Sequence, residues 1–450
     1  MAGGPSSLAL FTDLYELTMA QAFWQSGMTA PATFSLYLRS YPENRAYFVF
    51  AGLHDCLDYL EELRFSQQDL DYLHSLDLFD EGFLAYLGGL RFSGSVRAMP
   101  EATIFFANEP VMEVTAPVIE AQIVETYLLN QVNVQTLLAT KASRVLHAAR
   151  GRALVDFSAR RAHGLDAADK VAKVSYMVGF AGTSNCAAGQ RYGIPTFGTM
   201  AHSFVTSFAD EIDSFRAYAA SFPESATLLV DSYDTIEGTK LAIQVGLEMK
   251  RQGHDLRALR LDSGDLAALS LRARAMLDEA GLGDVQLFAS GGLDEFDIDA
   301  LLRSGAPIDG FGVGTKLGVS ADAPWTDCAY KLVEYDRRPV LKLSPAKESL
   351  PGPKQCFRQR DGNGAMARDV IACAHEAAPP GAEPLLGTVM EGGRRLTPDP
   401  ALSELRARFD REFAALPQRH KALAAPALYE VATSAELQRL QRSLAQRLGG

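Results

Sequence analysis

Several short strings place chemically capable side chains beside turns. Gly198-Thr199-Met200-Ala201-His202-Ser203 sets one of only 8 histidines in a run of small residues rather than on a helical face. An imidazole in such a turn can exchange a proton near neutral pH, although a single histidine often has a purely structural role. Asp231, in Asp231-Ser232-Tyr233-Asp234-Thr235, is the carboxylate available to orient that ring. Arg260-Leu261-Asp262-Ser263-Gly264-Asp265 holds two carboxylates three residues apart with a glycine between them. Such a pair can face a cation or sugar hydroxyls, or one of its members can cap a following helix. We assign Asp262 to the site and Asp265 to the cap. Phe157-Ser158-Ala159-Arg160-Arg161 offers a planar clamp for a carboxylate or phosphate, with one of the two arginines expected to be structural. Ser290-Gly291-Gly292 and Gly312-Val313-Gly314-Thr315-Lys316 have the glycines that let backbone N–H groups approach an anion. Neither string is a Walker A loop or a dinucleotide fingerprint, and the same glycines would also serve simple tight turns.

These strings share a context. From about residue 150 the chain alternates short apolar runs, turns and amphipathic stretches. The runs Leu154–Phe157, Thr227–Val230, Ala258–Leu261, Val285–Ala289 and Ile308–Val313 read as strands, with weaker candidates near 174–178 and 194–198. Helices are expected over 210–221, 237–252, 265–281 and 294–304. Asp231 and Asp262 are 31 residues apart, and Asp262 and Ser290 are 28 apart, which is one strand–helix crossover each. About seven strands favour an irregular β/α barrel over an open sheet. In a barrel the residues just after each strand line one face, and the loops after the last strands often hold phosphate.

The flanking segments read differently. Asp13–Gln25 is expected to be a helix capped by Asp13, with Glu16 three residues on and Tyr15 an ordinary amphipathic aromatic. Residues 33–50 suggest two strands joined near Pro42-Glu43-Asn44, residues 52–90 helix, and residues 94–118 short strands. This order makes a mixed α+β region. After residue 325 short strands return (330–334, 339–342, 356–359 and 369–374), then a Pro-rich stretch at 378–400 and helices near 401–415 and 434–448.

Composition removes several classes of function. The 450 residues are 47% hydrophobic and carry a net charge of −12, which argues against a nucleic-acid groove. Five cysteines without a C-x-x-C pair argue against a disulfide framework, and Cys356 and Cys373 do not suggest a zinc site. The reducing cytoplasm is the expected compartment. Met1–Ser7 lacks the basic residues of a signal peptide, and glycines and polar residues interrupt the charge-free stretch Val174–Gln190, so no membrane span is expected.

Taken together and in order, Phe11-Thr12-Asp13-Leu14-Tyr15-Glu16, Phe157 to Arg161, Gly198 to Phe204, Leu261 to Leu266, Gly312 to Thr315 and Pro351-Gly352-Pro353-Lys354-Gln355 resemble the nicotinate phosphoribosyltransferase family. The resemblance covers about residues 8–360. It implies an α/β protein in which an irregular β/α barrel packs on an α+β domain built from N- and C-terminal segments. The domains would be 1–139, 140–322 and a returning segment 323–450. It also implies transfer of a phosphoribosyl group from 5-phosphoribosyl 1-diphosphate to nicotinate, with Mg²⁺, with ATP hydrolysed through a phosphohistidine, and in a homodimer whose sites lie at the subunit interface. Carried over by position, His202 is the phosphorylated histidine and Asp231 its orienting carboxylate. Tyr15, from the partner subunit, and Phe157 stack on the pyridine ring. Arg160 meets the ring substituent with Thr199 nearby. Arg260 and Asp262 stand beside the reacting ring and ribose, and Asp262 is the candidate protein ligand for Mg²⁺. Gly291, Gly292, Gly314 and Thr315 hold the 5-phosphate, in a site that gathers Arg160, Arg161, Arg260 and Lys316. In the related nicotinamide phosphoribosyltransferases a Gly-Thr-Asp loop accepts from the amide, whereas this chain reads Gly182-Thr183-Ser184. A serine can donate to a carboxylate that an aspartate would repel, so the acid is the expected substrate. A quinolinate enzyme would need a more basic pocket. A barrel that binds sugar phosphates without turnover is the reading from another class.

Overall fold

A computed structural model describes residues 8–343 and 349–449. Met1–Ser7, the segment on which the expectation about a signal peptide rests, lie outside the described residues. Two compact units are present, Leu138–Pro324 and a second formed by Met1–Leu137 with Trp325–Gly450.

The middle unit is built on six short parallel strands in the order Gly182–Thr183, Ala153–Asp156, Gly310–Val313, Gln286–Ala289, Ala258–Leu261, Thr227–Leu229. A parallel bridge from Thr183 to Thr196 extends one edge. Among the described residues no ladder joins that edge to Thr227–Leu229, so the barrel-like sheet is irregular. Parallel strands covered on both sides must be apolar throughout, and Leu154, Val155, Leu228, Leu259, Leu261, Leu287, Phe311 and Val313 are all buried. The crossover helices start on side-chain caps. Asp234 accepts from the N–H groups of Ile236 and Glu237, Asp265 from that of Ala268, and Asp294 from those of Phe296 and Asp297. Each helix then buries residues at three- and four-residue spacing, such as Ala242, Val245, Gly246 and Met249 in Thr235–Arg251.

Of the two weaker expected strands, 194–198 is reduced to the single bridge at Thr196 and 174–178 is absent. Residues 174–177 belong to the helix Leu165–Met177, with Val178 as its C-cap, and the buried Ala168, Val171, Ala172 and Ser175 follow helical spacing. Its apolar C-terminal turn has the length of a buried strand, so the short run alone could not distinguish the two. The strand in that place is Gly182–Thr183.

A buried ionic cluster anchors the helix Glu295–Arg303. Glu295 Oε2 lies 2.5 Å from Lys141 Nζ, and Arg144 Nε donates to Glu295 Oε1 at 3.0 Å. Lys141 also reaches Asp322 Oδ1 at 2.6 Å.

The other unit combines a seven-stranded antiparallel sheet with a four-stranded and a two-stranded sheet, plus the helices Leu14–Gln25, Leu53–Glu62, Gln67–Ser75 and Glu81–Gly89. Pro31–Leu38 is flanked by Pro110–Pro117 on one side and Cys328–Tyr335 on the other, so both halves of the chain share one sheet. The two strands expected within 33–50 are Pro31–Leu38 and Phe48–Val49, and they do not pair with each other. Both edges of Pro31–Leu38 are occupied, and Phe48–Val49 pairs instead with Ile104–Phe105. The Pro-rich stretch holds three short strands, Ala382–Pro384, Gly387–Glu391 and Arg394–Arg395. Deep in this unit Arg358 binds Asp369 at 2.6 Å and Glu412 at 2.8 Å, and the Cys356 thiol donates to Glu109 at 3.2 Å. All five cysteines are free thiols. Among the described residues no helix is long and apolar enough to cross a membrane.

Replacing Glu295 by Ala removes the carboxylate that Lys141 and Arg144 share. Breaking a buried ionic group in this way costs about 3–5 kcal/mol. Urea denaturation of Glu295→Ala should show a loss of that size, and a loss below about 1 kcal/mol would contradict the anchoring role.

Candidate active site

Strand register creates the site. Leu229 lies opposite Arg260, and Val230 N donates to Arg260 O, so Asp231 emerges beside Asp262. Ala289 lies opposite Leu261, and Ser290 N donates to Leu261 O, which brings Ser290 to the other side of Asp262. Three strand ends, far apart in sequence, thereby converge.

Arg260 links them. Its Nη2 donates to Asp262 Oδ1 at 2.6 Å, its Nε to Ser290 Oγ at 2.8 Å, and its Nη1 to Thr199 Oγ1 at 3.0 Å and Met200 O at 3.2 Å. Its guanidinium carbon lies 5.7 Å from the centre of the Phe157 ring. Ser290 Oγ also donates to Asp262 Oδ1 at 2.5 Å. Burial would raise the Asp262 carboxyl, but the Ser290 hydroxyl and the Arg260 guanidinium hold it below its usual value. It is therefore a carboxylate at neutral pH.

His202 is 45% exposed, and its Nε2 lies 3.9 Å from Asp262 Oδ2. Its Nδ1 pairs with Ser232 Oγ at 3.0 Å. Asp231, expected to orient this ring, instead accepts from Ser263 Oγ at 2.5 Å and from Asp262 N at 3.2 Å. Its Oδ2 is committed to holding the Asp262 turn, while its Oδ1 is buried without a hydrogen-bond partner. Nearby, burial and the charges of Asp231 and Asp234 push the Glu211 carboxyl upward.

A second knot organises the first strand end. Asp156, fully buried, accepts from Ser158 N at 2.8 Å, Ser158 Oγ at 2.5 Å and Thr183 Oγ1 at 2.7 Å. Ser184 N donates to Asp156 O at 2.8 Å. Burial raises the Asp156 carboxyl despite these bonds. One residue thus fixes both the turn that carries Arg160 and the loop that carries Ser184. Arg160 and Arg161 are exposed, and no side-chain partner holds either among the described residues. Phe157 packs on Phe288 with ring centres 6.0 Å apart, beside a cavity of about 590 Å³ that runs from Phe197, Gly198 and Thr199 to the strand starts at Ala153, Thr227 and Gln286.

Two glycines are required by close approach. A Cβ on Gly291, which has φ of +97°, would stand 1.8 Å from Asp262 O, and one on Gly312 would stand 2.4 Å from the Phe157 ring. Gly292 and Thr315 are exposed and Gly314 is half-buried. Lys316 is not free for an anion, because Asp297 and Asp294 bind its ammonium at 2.7 and 2.9 Å. Tyr15 lies in the other unit, 49% exposed. Its neighbour Glu16 is buried, accepts from Gln122, and is pushed up to about 7 by burial.

Sequence reasoning missed Asp156, Ser232, Ser263 and Ser290. Only Asp156 carried a signal, a charge at the last position of an apolar strand.

A parallel barrel-like sheet that presents an arginine-held carboxylate, a half-exposed histidine and a glycine turn on one face defines an α/β enzyme of sugar-phosphate chemistry. Comparison with known proteins narrows that class. Residues 10–133, 152–339 and 378–441 match, in turn, the family models for the nicotinate phosphoribosyltransferase (NAPRTase) N-terminal domain, the nicotinate phosphoribosyltransferase (NAPRTase) family and the nicotinate phosphoribosyltransferase C-terminal domain. The chain is 53% identical over 390 residues to nicotinate phosphoribosyltransferase pncB2 of Mycobacterium tuberculosis, covering 86% of this chain and 83% of that protein. It is 42% identical over 360 residues to the nicotinate phosphoribosyltransferase of Bacillus subtilis, covering 78% and 73%. The crystal structure of human nicotinic acid phosphoribosyltransferase superposes with a TM-score of 0.87 at 30% identity, over 96% of this chain and 99% of that one. The chain belongs to the nicotinate phosphoribosyltransferase family.

Arg260→Lys keeps the charge but cannot make the planar fork to three loops. It should lower kcat/KM by roughly 10²-fold, the usual cost of losing a preorganised donor, while the thermal melt stays close to that of the parent protein. Steady-state kinetics within threefold of wild type would show that the fork does not matter.

Proposed function

We propose that the protein joins nicotinate to 5-phosphoribosyl 1-diphosphate, giving nicotinate mononucleotide and diphosphate in the salvage route to NAD, and that ATP hydrolysis is coupled to the transfer through phosphorylation of His202. The observation that carries this reading is the Arg260–Asp262–Ser290 constellation, with His202 Nε2 3.9 Å from the same carboxylate.

Displacement of diphosphate from the ribose C1 passes through an oxocarbenium-like state, which calls for an ionised carboxylate near the ribose, neutralisation of the leaving group and an aligned ring nitrogen. Asp262 is that carboxylate. Phe157, braced by Phe288 and Arg260, supplies a flat apolar face for the pyridine, and the unpaired Arg160 meets its carboxylate. Ser184, on the loop fixed by Asp156, donates to the acid; the Gly-Thr-Asp loop of an amide-selective enzyme would repel it. Gly291, Gly292, Gly314 and Thr315 offer backbone N–H groups to the 5-phosphate.

Asp262 Oδ2 and the unpartnered Asp231 Oδ1 are hard oxygen donors. Such donors suit Mg²⁺, which, carried mainly by the diphosphate, would neutralise the leaving group. His202 is exposed enough to meet a γ-phosphoryl group, and in the neutral tautomer whose Nδ1–H donates to Ser232 Oγ its Nε2 is the attacking atom. A phosphohistidine beside the leaving-group site would favour productive binding of the donor. The expected homodimer draws support from the exposed Leu8, Phe11, Leu14 and Tyr15 in the N-terminal unit, with Tyr15 reaching the partner's pyridine site. The compartment proposed is the cytoplasm.

Incubation with the donor and either nicotinate or nicotinamide, with and without ATP, tests the whole reading. Mononucleotide from the acid supports it, product from the amide alone makes the chain an amide enzyme, and no product from either returns it to a binding barrel. His202→Ala should abolish ATP hydrolysis and ATP stimulation while slow ATP-independent transfer remains; retained stimulation would remove the phosphohistidine. Ser184→Asp should shift the ratio of kcat/KM for acid over amide toward the amide by about tenfold or more, and an unchanged ratio would show that Ser184 does not read the substituent.

A further inference from the structure

Ser290 has no assigned role, yet it is 2% exposed and its hydroxyl bonds on both sides, accepting from Arg260 Nε at 2.8 Å and donating to Asp262 Oδ1 at 2.5 Å. It is also the residue immediately before the paired glycines Gly291 and Gly292. We propose that Ser290 is a positioning residue that ties the Gly291–Gly292 turn to the Arg260–Asp262 pair, so that seating the donor's 5-phosphate and aiming the ribose-facing carboxylate are one event.

Three observations converge on this coupling. The turn and the carboxylate loop touch directly, since Gly291 packs so closely on Asp262 O that no side chain fits between them. The far end of the turn is fixed by other means. Asp294 and Asp297 form a capping box and bind Lys316, and Glu295 is held by Lys141 and Arg144. Ser290 is therefore the end at which the turn is tied to the site, so that a shift of the turn passes into the Arg260–Asp262 geometry. Arg260 then carries the shift onward to Thr199 and Met200, at the start of the turn that ends in His202. Because the far end stays anchored, losing the Ser290 hydroxyl should leave the turn folded but let it move independently of Asp262.

The inference rests on the reading above, in which Asp262 faces the ribose and the glycine turn takes the 5-phosphate. Its test uses the full chain with nicotinate and 5-phosphoribosyl 1-diphosphate, comparing wild type, Ser290→Ala, the nearly isosteric Ser290→Cys, Asp262→Asn and the double variant Ser290→Ala/Asp262→Asn. Loss of a hydrogen bond to a charged group predicts a fall of roughly 10–100-fold in kcat/KM for the donor in Ser290→Ala and Ser290→Cys. KM for nicotinate should stay within about twofold. If the two residues act as a unit, the double variant is no worse than Asp262→Asn alone. Losses that multiply in the double variant, or wild-type kinetics in both Ser290 variants, overturn the inference and leave the reading of the site intact. Wild-type turnover in Asp262→Asn instead removes Asp262 from the ribose, and the inference falls with it.

Discussion

A planar guanidinium can satisfy several acceptors only when they lie near its plane at fixed angles, and Arg260 uses that restriction to hold three loops in register. Its Nε, Nη1 and Nη2 engage Ser290, Thr199 with Met200, and Asp262. A lysine would neutralise the same carboxylate as a point charge and leave the loops free to slide. Because the acceptors come from different strand ends, the bond network depends on sheet register. A slip of one residue would turn Arg260 to the opposite face of the sheet and dissolve the site. The register is itself fixed by the apolar residues buried on the face opposite Arg260, so burial of Leu259, Leu261 and Leu287 sets the position of a polar group at the rim.

Asp156 applies the same principle by burial rather than by charge pairing. A carboxyl group with no exposure is tolerated because it accepts from Ser158 and Thr183, and those acceptances shape the two loops that carry Arg160 and Ser184. Close packing completes the arrangement. Gly312 lets the Phe157 ring lie against the neighbouring strand, and Gly291 lets its turn lie against the Asp262 backbone. Polar groups thus set the directions of the loops and missing side chains set their distances, which leaves little freedom for the face as a whole.

The alternation of short apolar runs with capped helices was legible in the sequence because each strand and helix is specified by its own neighbours. Ala258–Leu261 appears where its pattern placed it, and Asp265 caps the helix it precedes. The run 174–178 was misread because a short, mainly apolar run fits a strand as well as the last turn of a helix, and only the three-dimensional packing of Ala168 and Val171 decides between them. The position of Asp262 was legible from its place after a strand. Its partners were not: Ser290 and Asp231 reach it through hydrogen bonds across 28 and 31 residues, and a serine before two glycines looks like any turn. Ser232 beside His202 was hidden for the same reason, since Asp231 next to it has the more obvious chemistry.

The charge distribution links these local bonds to the whole molecule. With a net charge of −12 the protein repels anions at long range, so anionic ligands must be captured by short-range groups. Counting basic residues near the strand ends overstates what is available, because Lys316 is bound by Asp294 and Asp297 and Arg260 by Asp262. Those two cations shape the face and have little charge left to offer. Arg160 and Arg161 differ, being exposed beside the Asp156 knot with no protein counterion among the described residues. A cation already paired in the free protein must break a bond before it can bind an anion, whereas an unpaired one gives up only solvent. The division between paired and unpaired cations therefore separates the groups that hold the site together from those free to select its ligands, and it assigns the second role to the turn that Asp156 fixes.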